Sequence, residues 1–148
     1  FVSSALMGCI AAGATAEATE CLADYALLFG RCFQIRDDIF DYFRSETVGK
    51  PTGNDLREGK VSLPLLLTLG RETPGRDGIV ELLKKDSLSD AEIDRIQDFA
   101  RTNGGIDAAY DVMRDLRRRA CERLSAIPDG EVRRQLGELF DFVIERQY

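Results

Sequence analysis

Two neighbouring stretches of this 148-residue chain decide its fold. Residues 33–41 read FQIRDDIFD, and residues 49–64 read GKPTGNDLREGKVSLP. The first stretch closes a long run with apolar residues at helical spacing, from about Ala16 to Phe43. The second contains glycine and proline, which interrupt helices, so a loop is predicted from Ser45 to about Gly59. The two stretches together predict a long helix followed by a polar, glycine-rich loop.

The rest of the chain follows helical periodicity as well. A first helix rich in small residues is predicted from Phe1 to about Ala14, and another begins near Ser62 with proline in its first turn. Ser89 and Glu92 have the spacing of a capping box that opens a further helix. Other helical stretches cover about 77–85, 106–124 and 132–143, and no strand alternation is found. We therefore predict an all-α fold, with residues 1–148 as part of one domain.

Composition excludes several classes of chemistry. The chain has no histidine, which rules out histidine bases, catalytic triads and histidine-ligated zinc. A net charge of −6 argues against nucleic acid as a partner, and no apolar run is long enough to predict a transmembrane segment. The four cysteines have no CxxC spacing, which predicts free thiols and a cytoplasmic protein. Chemistry must therefore depend on carboxylates, lysine, arginine, amides or an oxygen-ligated metal.

Acidic side chains share one face of the long helix near its end. On a helical wheel, Gln34, Asp37, Asp38 and Asp41 fall within a face roughly 100° wide. Asp37 and Asp41 are an i,i+4 pair of like charges, which destabilises a helix unless something offsets the repulsion. A shared Mg²⁺ would do so, because this ion accepts one or two carboxylates together with water and phosphate oxygens. The pattern alone also fits a solvated helix end.

Towards the start of the helix the same face becomes apolar and small-sided. Ala23, Leu27 and Gly30 continue the stripe that carries the acidic residues. Such a change predicts one wall of a cavity, with an ionic group at its mouth and a hydrocarbon chain inside.

The loop that follows the long helix has features of a phosphate site. Its glycines allow the backbone to approach a ligand, and Lys50 and Lys60 supply compact positive charges. The spacing differs from a Walker A loop, since Val61 follows Lys60 and no strand precedes the loop. Taken by itself, the loop also fits a polar connector.

Considered together, the two stretches resemble the signature FQxxDDxxD…GKxxGxDLxxGKxTLP of the trans-isoprenyl diphosphate synthases, or polyprenyl synthetase family. The order of the motifs and the surrounding helices agree, and Ser62 stands where threonine is usual. The resemblance implies the C-terminal half of the family's isoprenoid synthase helical bundle. The first aspartate-rich motif would then lie upstream of Phe1, in the missing half. A chain that begins in mid-helix fits that expectation.

The resemblance also implies roles for particular residues. Asp37 and Asp41 would hold Mg²⁺, with Asp38 as a weaker or water-mediated ligand. Lys50 and Lys60 would face the diphosphate. A further pair would lie beside the isopentenyl unit, namely Phe33 and Gln34. No side chain would act as a nucleophile, so none is assigned as catalytic.

The implied reaction is prenyl transfer from an allylic prenyl diphosphate to isopentenyl diphosphate, with release of pyrophosphate. The resemblance also implies a homodimer for the intact enzyme. A non-catalytic partner subunit of a heteromeric synthase is the main alternative, although such a subunit has no need of an intact acidic motif. A terpene cyclase is disfavoured, because the GKxxGxDLxxGK loop is typical of the chain-elongating enzymes.

Overall fold

The computed structural model describes residues 1–43 and 52–146, in which helices account for all regular structure. The all-α prediction is therefore confirmed for this part of the chain. The helices are α1 Val2–Ala11, α2 Ala16–Phe40, α3 Asn54–Arg57, α4 Leu63–Leu69, α5 Arg76–Leu83, α6 Asp90–Thr102, α7 Gly105–Arg123 and α8 Glu131–Glu145, with a 3₁₀ turn at Leu124–Ala126.

The helix boundaries differ from the sequence prediction mainly in three places. Helix α1 ends at Ala11 instead of about Ala14. Helix α2 ends at Phe40 instead of Phe43, because the N–H groups of Tyr42 and Phe43 turn back to Ile39 and Phe40 in tighter i→i−3 bonds. Helix α3 lies where a loop was predicted. At α6 the predicted capping box is present, and the Ser89 N–H donates to the Glu92 carboxylate at 2.9 Å.

The chain divides into two compact units, whose boundaries fall within α2 and α7. The first unit comprises residues 1–36 and 112–146 of the described chain. Its core is aromatic: the Phe140 ring is fully buried and meets the Tyr25 and Phe29 rings edge-on, at centroid distances of 5.6 and 5.3 Å. The Tyr25 hydroxyl donates to the Leu136 carbonyl at 2.8 Å, which ties α2 to α8.

The second unit comprises residues 37–111. Its core is a set of buried apolar side chains on α3 to α6 and just after α2, chiefly Tyr42, Leu56, Leu65, Ile79, Ile93 and Ile96. Helix α4 crosses the start of α7 closely at Gly105, where an added Cβ would lie 2.4 Å from the Pro64 carbonyl oxygen. Glycine is needed there because any side chain would separate the two helices.

The described part of the chain contains no helix that is both long enough and apolar enough to cross a membrane. Its four cysteines are free thiols, as predicted.

Helix α1 is apolar yet poorly covered. It contains no charged residue, and only Cys9 is buried. Met7 and Ile10 are 71% and 78% exposed. Clustered exposed apolar side chains promote association between protein surfaces.

We expect the 148-residue chain, prepared by itself, to self-associate through α1. A double substitution, Met7→Glu with Ile10→Glu, should shift the sedimentation profile towards monomer, because it places two charges in the apolar surface. The control is Leu66→Glu, since Leu66 is also exposed (52%) but lies on α4 in the other unit. A monomeric parent chain at micromolar concentration would contradict this prediction.

Candidate functional site

The acidic motif lies at the C-terminal end of α2. Asp37 and Asp38 are in its last turn and are partly exposed, while Asp41 is the first residue after the helix. Within residues 1–43 and 52–146, no three acidic, cysteine or histidine side chains form a cluster that could hold a metal by itself. Any metal held here would therefore need further ligands from a substrate or from water.

Asp41 connects the end of α2 to the glycine-rich loop. Its carboxylate accepts the backbone N–H groups of Asn54 and Asp55, at 3.2 and 3.3 Å, in the first turn of α3. Its backbone carbonyl accepts the N–H of Gly53 at 3.2 Å. Burial raises the pKa of the Asp41 carboxyl, the N–H of Asn54 lowers it, and the charge of Asp55 raises it again. The motif and the loop therefore meet through one half-buried carboxylate.

Side chains of α6 hold the same chain end from the other side. The Gln97 amide donates to the Asp41 carbonyl at 2.5 Å, and Arg101 donates to the Tyr42 carbonyl at 2.9 Å. Gln97 is buried, so this hydrogen bond satisfies an amide that would otherwise be costly inside the unit. A cation near a helix C-terminus is also favoured by the helix dipole.

Tyr42 links α2 to the start of α4. Its hydroxyl lies 2.8 Å from the Ser62 hydroxyl, and burial raises its pKa to about 12. Ser62, which stands where the resemblance has threonine, thus uses its hydroxyl in a hydrogen bond with Tyr42.

Gly53 is the residue on which the geometry of the loop depends. It has a φ of 74°, in the left-handed region, and it precedes the first residue of α3. A Cβ at this position would lie 2.6 Å from the Ile93 Cγ2 atom and 3.2 Å from the Gln97 amide nitrogen. Both backbone conformation and space thus require glycine.

Of the two lysines predicted to face a diphosphate, only Lys60 lies within the described residues. The Lys60 ammonium is exposed and pairs with Glu58 at 2.5 Å, with Asp55 farther away at 3.9 Å. This pairing raises the pKa of Lys60 and lowers the pKa of Glu58. Lys50 lies outside the described residues, so its role stays a prediction.

The donor set around Asp41 fits a hard divalent cation. All the candidate ligands are carboxylate oxygens, which Mg²⁺ prefers. A carboxylate offers about four lone-pair positions, and two N–H groups occupy two of those on Asp41. Burial disfavours its charged form, which a nearby cation would restore.

The substrate residues predicted on α2 before the acidic motif belong to the first unit. The Phe33 ring is partly buried between the Phe1 ring, at a centroid distance of 5.4 Å, and the Arg146 guanidinium, at 4.7 Å. Gln34 is exposed. No role was predicted for Arg146 or Phe1 from the sequence, because their contacts with Phe33 join residues that lie far apart in the chain.

An apolar cavity in the first unit lies against α2, but on a different face of this helix from the predicted stripe. Its volume is about 560 Å³, and its α2 wall is formed by Leu22, Tyr25, Ala26 and Phe29. From the predicted stripe, Leu27 lines a different cleft that also contains Asp24 and three arginines. Gly30 approaches Phe1, whose Cδ2 would be 3.1 Å from an added Cβ. Neither residue lines the apolar cavity.

These features define a helical protein with carboxylates and a lysine-bearing loop joined at the end of one long helix. The chain belongs to the polyprenyl synthetase family, whose sequence profile matches residues 1–99. It is 37% identical, over its whole length, to a geranylfarnesyl diphosphate synthase of Natronomonas pharaonis. It is also 28% identical, over 98% of its length, to heptaprenyl diphosphate synthase component 2 of Bacillus subtilis.

A solved structure shows the same fold. A polyprenyl synthase from Caulobacter crescentus, crystallised with calcium and isoprenyl diphosphate, superposes with a TM-score of 0.89 at 34% identity. All of this chain is covered, but only 46% of the Caulobacter chain and 42% of the Natronomonas protein. The chain thus spans less than half the length of these relatives, in agreement with the predicted half of the family's bundle.

We expect Gly53→Ala to destabilise the second unit more than Gly59→Ala does. Both glycines have positive φ values, 74° and 72°, so either substitution introduces backbone strain of roughly 1–2 kcal/mol. Only at Gly53 does the new Cβ meet a neighbour, which should cost about 1–3 kcal/mol more. Urea denaturation followed by circular dichroism measures both losses. Equal losses would show that Ile93 moves aside freely.

Proposed function

We propose that the natural full-length protein carrying this sequence transfers an allylic prenyl group to isopentenyl diphosphate. The supporting observation is the junction at Asp41, where the acidic helix end holds the first turn of α3, a few residues before the predicted diphosphate lysine Lys60. The calcium and isoprenyl diphosphate of the Caulobacter relative support the same substrate class and a divalent metal. For this chain we infer Mg²⁺.

The reaction breaks the allylic C–O bond and releases pyrophosphate. The double bond of isopentenyl diphosphate then attacks the allylic carbocation, and a proton is lost to form the new double bond. When bound, Mg²⁺ would stabilise the negative charge of the departing pyrophosphate. No protein nucleophile is needed.

The residues of this chain would bind and orient the reactants. Asp37 and Asp41 would hold a metal ion, and Asp38 would be a weaker or water-mediated ligand. Asp41 would do so while retaining its hydrogen bonds to α3, so the loop and the metal would share one anchor. Lys60 would exchange its exposed partner Glu58 for a diphosphate oxygen.

In the first unit, Phe33 and Gln34 would contact the isopentenyl unit. Lys50 would contact the allylic diphosphate.

We expect the full-length protein to extend geranyl or farnesyl diphosphate with radiolabelled isopentenyl diphosphate when Mg²⁺ is present, and EDTA to abolish the product. The 148-residue chain by itself should give no extended product, because the first aspartate-rich motif is predicted to lie outside it. Turnover by the isolated chain would overturn this division of the active site.

The acidic motif can be tested in the full-length protein by Asp37→Ala. If Asp37 holds the metal, kcat should fall about 10²–10³-fold while the melting temperature is kept, since a transition-state contact is lost. The helix should be no less stable, because alanine is a better helix former than aspartate. Lys50→Ala should slow the reaction and weaken diphosphate binding. The control is Asp94→Ala, at an exposed position on α6. Turnover like wild type by Asp37→Ala would remove Asp37 from the metal site.

A partner subunit without catalytic activity is the second candidate. The similarity to component 2 of the Bacillus enzyme supports this candidate, because that name implies a synthase of more than one component. Purified full-length protein distinguishes the two functions: a homomeric enzyme elongates by itself, whereas a subunit of a heteromeric enzyme requires a second chain. We expect activity from the homomeric protein, and a homodimer in sedimentation.

A further inference from the structure

Arg36 is a buried arginine beside the acidic motif, and no role was predicted for it from the sequence. Its side chain is 5% exposed. Within the first unit, its guanidinium donates a hydrogen bond to the backbone carbonyl of Arg146, a residue 110 positions later. Burying a guanidinium is costly unless it is hydrogen-bonded, so this contact contributes to keeping the charge inside the unit.

The carbonyl that Arg36 reaches lies at the end of α8. The Arg146 N–H donates to the Phe142 carbonyl at 2.9 Å and completes the helix. The Arg146 backbone then becomes extended, with φ −53° and ψ 131°. Carbonyl groups at a helix C-terminus lack partners within the helix and carry the negative end of its dipole. A cationic donor from α2 meets both requirements at the end of α8.

The end of α8 carries Arg146, whose side chain covers the Phe33 ring. The Arg146 guanidinium lies over the Phe33 ring at 4.7 Å, a cation–π distance, and the centroids of the Phe1 and Phe33 rings are 5.4 Å apart. A cation over an aromatic face is attracted by the negative potential of the ring, most strongly where the pair is desolvated. If the Arg146 backbone moved, its side chain would leave the ring, and Phe33 would lose one of the two groups that orient it.

We propose that Arg36 is a positioning residue, which orients Phe33 by holding Arg146 over the ring. This inference rests on the proposed function, in which Phe33 contacts the isopentenyl unit. Arg36 itself touches no substrate in this arrangement. The proposed effect reaches the reaction through the end of α8.

The test compares Arg36→Met with Arg36→Lys in the full-length protein. Methionine fills similar space but cannot donate, whereas lysine retains a single donor. For Arg36→Met we expect KM for isopentenyl diphosphate to rise about tenfold while kcat changes less than about threefold, because substrate binding is affected more than the chemical step. Arg36→Lys should restore most of the loss. The control is Arg31→Met, at an exposed position one turn earlier on α2.

Hydrogen exchange provides a readout that does not depend on activity. The amides at the end of α8, residues 143–146, should lose protection in Arg36→Met and keep it in Arg31→Met. Combining Arg36→Met with Arg146→Met should raise KM no further than the larger single effect, since both changes remove the same contact with Phe33.

The outcomes separate the two proposals. If the wild-type protein fails to elongate any prenyl diphosphate, the proposed function is wrong, and the exchange experiment still decides whether Arg36 holds α8. Unchanged protection of residues 143–146 in Arg36→Met would show that Arg36 does not hold the end of α8. Lost protection with a wild-type KM would show that Arg36 is merely structural. If Arg36→Met does not fold, Arg146→Met tests the same contact, because it removes the guanidinium over Phe33 and leaves Arg36 in place. A raised KM for isopentenyl diphosphate in Arg146→Met would support positioning, and a wild-type KM would overturn it.

Discussion

The second unit depends on the hydrogen bonds that converge on Asp41. This residue accepts four donors from two directions: three backbone N–H groups at the start of α3 and the Gln97 amide from α6. Without them, the carboxylate and the carbonyl at the end of α2 would both be partly desolvated and unsatisfied, a costly state. The hydrogen-bonding groups of Asp41 therefore set the position of α3 and of the loop that carries Lys60.

The same residue explains how an acidic motif is tolerated at this end of a helix. Carboxylates near a helix C-terminus face the negative end of the dipole, and like charges one turn apart repel. The protein supplies partial compensation: N–H dipoles reach the Asp41 carboxylate, and Arg101 reaches the neighbouring carbonyl of Tyr42. The pKa of Asp41 nevertheless stays raised by burial. Such a residual electrostatic cost is what a bound divalent cation would remove.

The sequence predicted the helices well because their signals are local. Apolar spacing of three and four residues locates α2, α6 and α7, and Ser89 with Glu92 marks the start of α6. Helix α3 could not be predicted in this way. Its first N–H groups are satisfied by Asp41, 13 and 14 residues earlier, and the left-handed Gly53 that precedes it is also a loop signal.

The candidate site was predictable to a similar extent. The motif residues were identified because they are close in sequence, and the family assignment from them is confirmed. Their surroundings were not predictable. Gln97 reaches Asp41 across 56 residues, and Arg36 reaches Arg146 across 110. The apolar cavity is likewise lined by Leu22, Tyr25, Ala26 and Phe29. A helical wheel places these residues beside the expected stripe, but it cannot show which of them line a cavity.

The two long-range interactions solve one physical problem in the two units separately. A helix leaves its last carbonyl groups without partners, and a buried helix end must obtain donors from elsewhere. After α2 the donors are Gln97 and Arg101 of α6, and at α8 the donor is Arg36 of α2. In each case the donor is a buried or partly buried side chain, which holds one chain end in one place. Under the proposed function, the groups that recognise a diphosphate or a prenyl chain would need fixed positions, and capped helix ends supply such positions because a hydrogen bond constrains direction as well as distance.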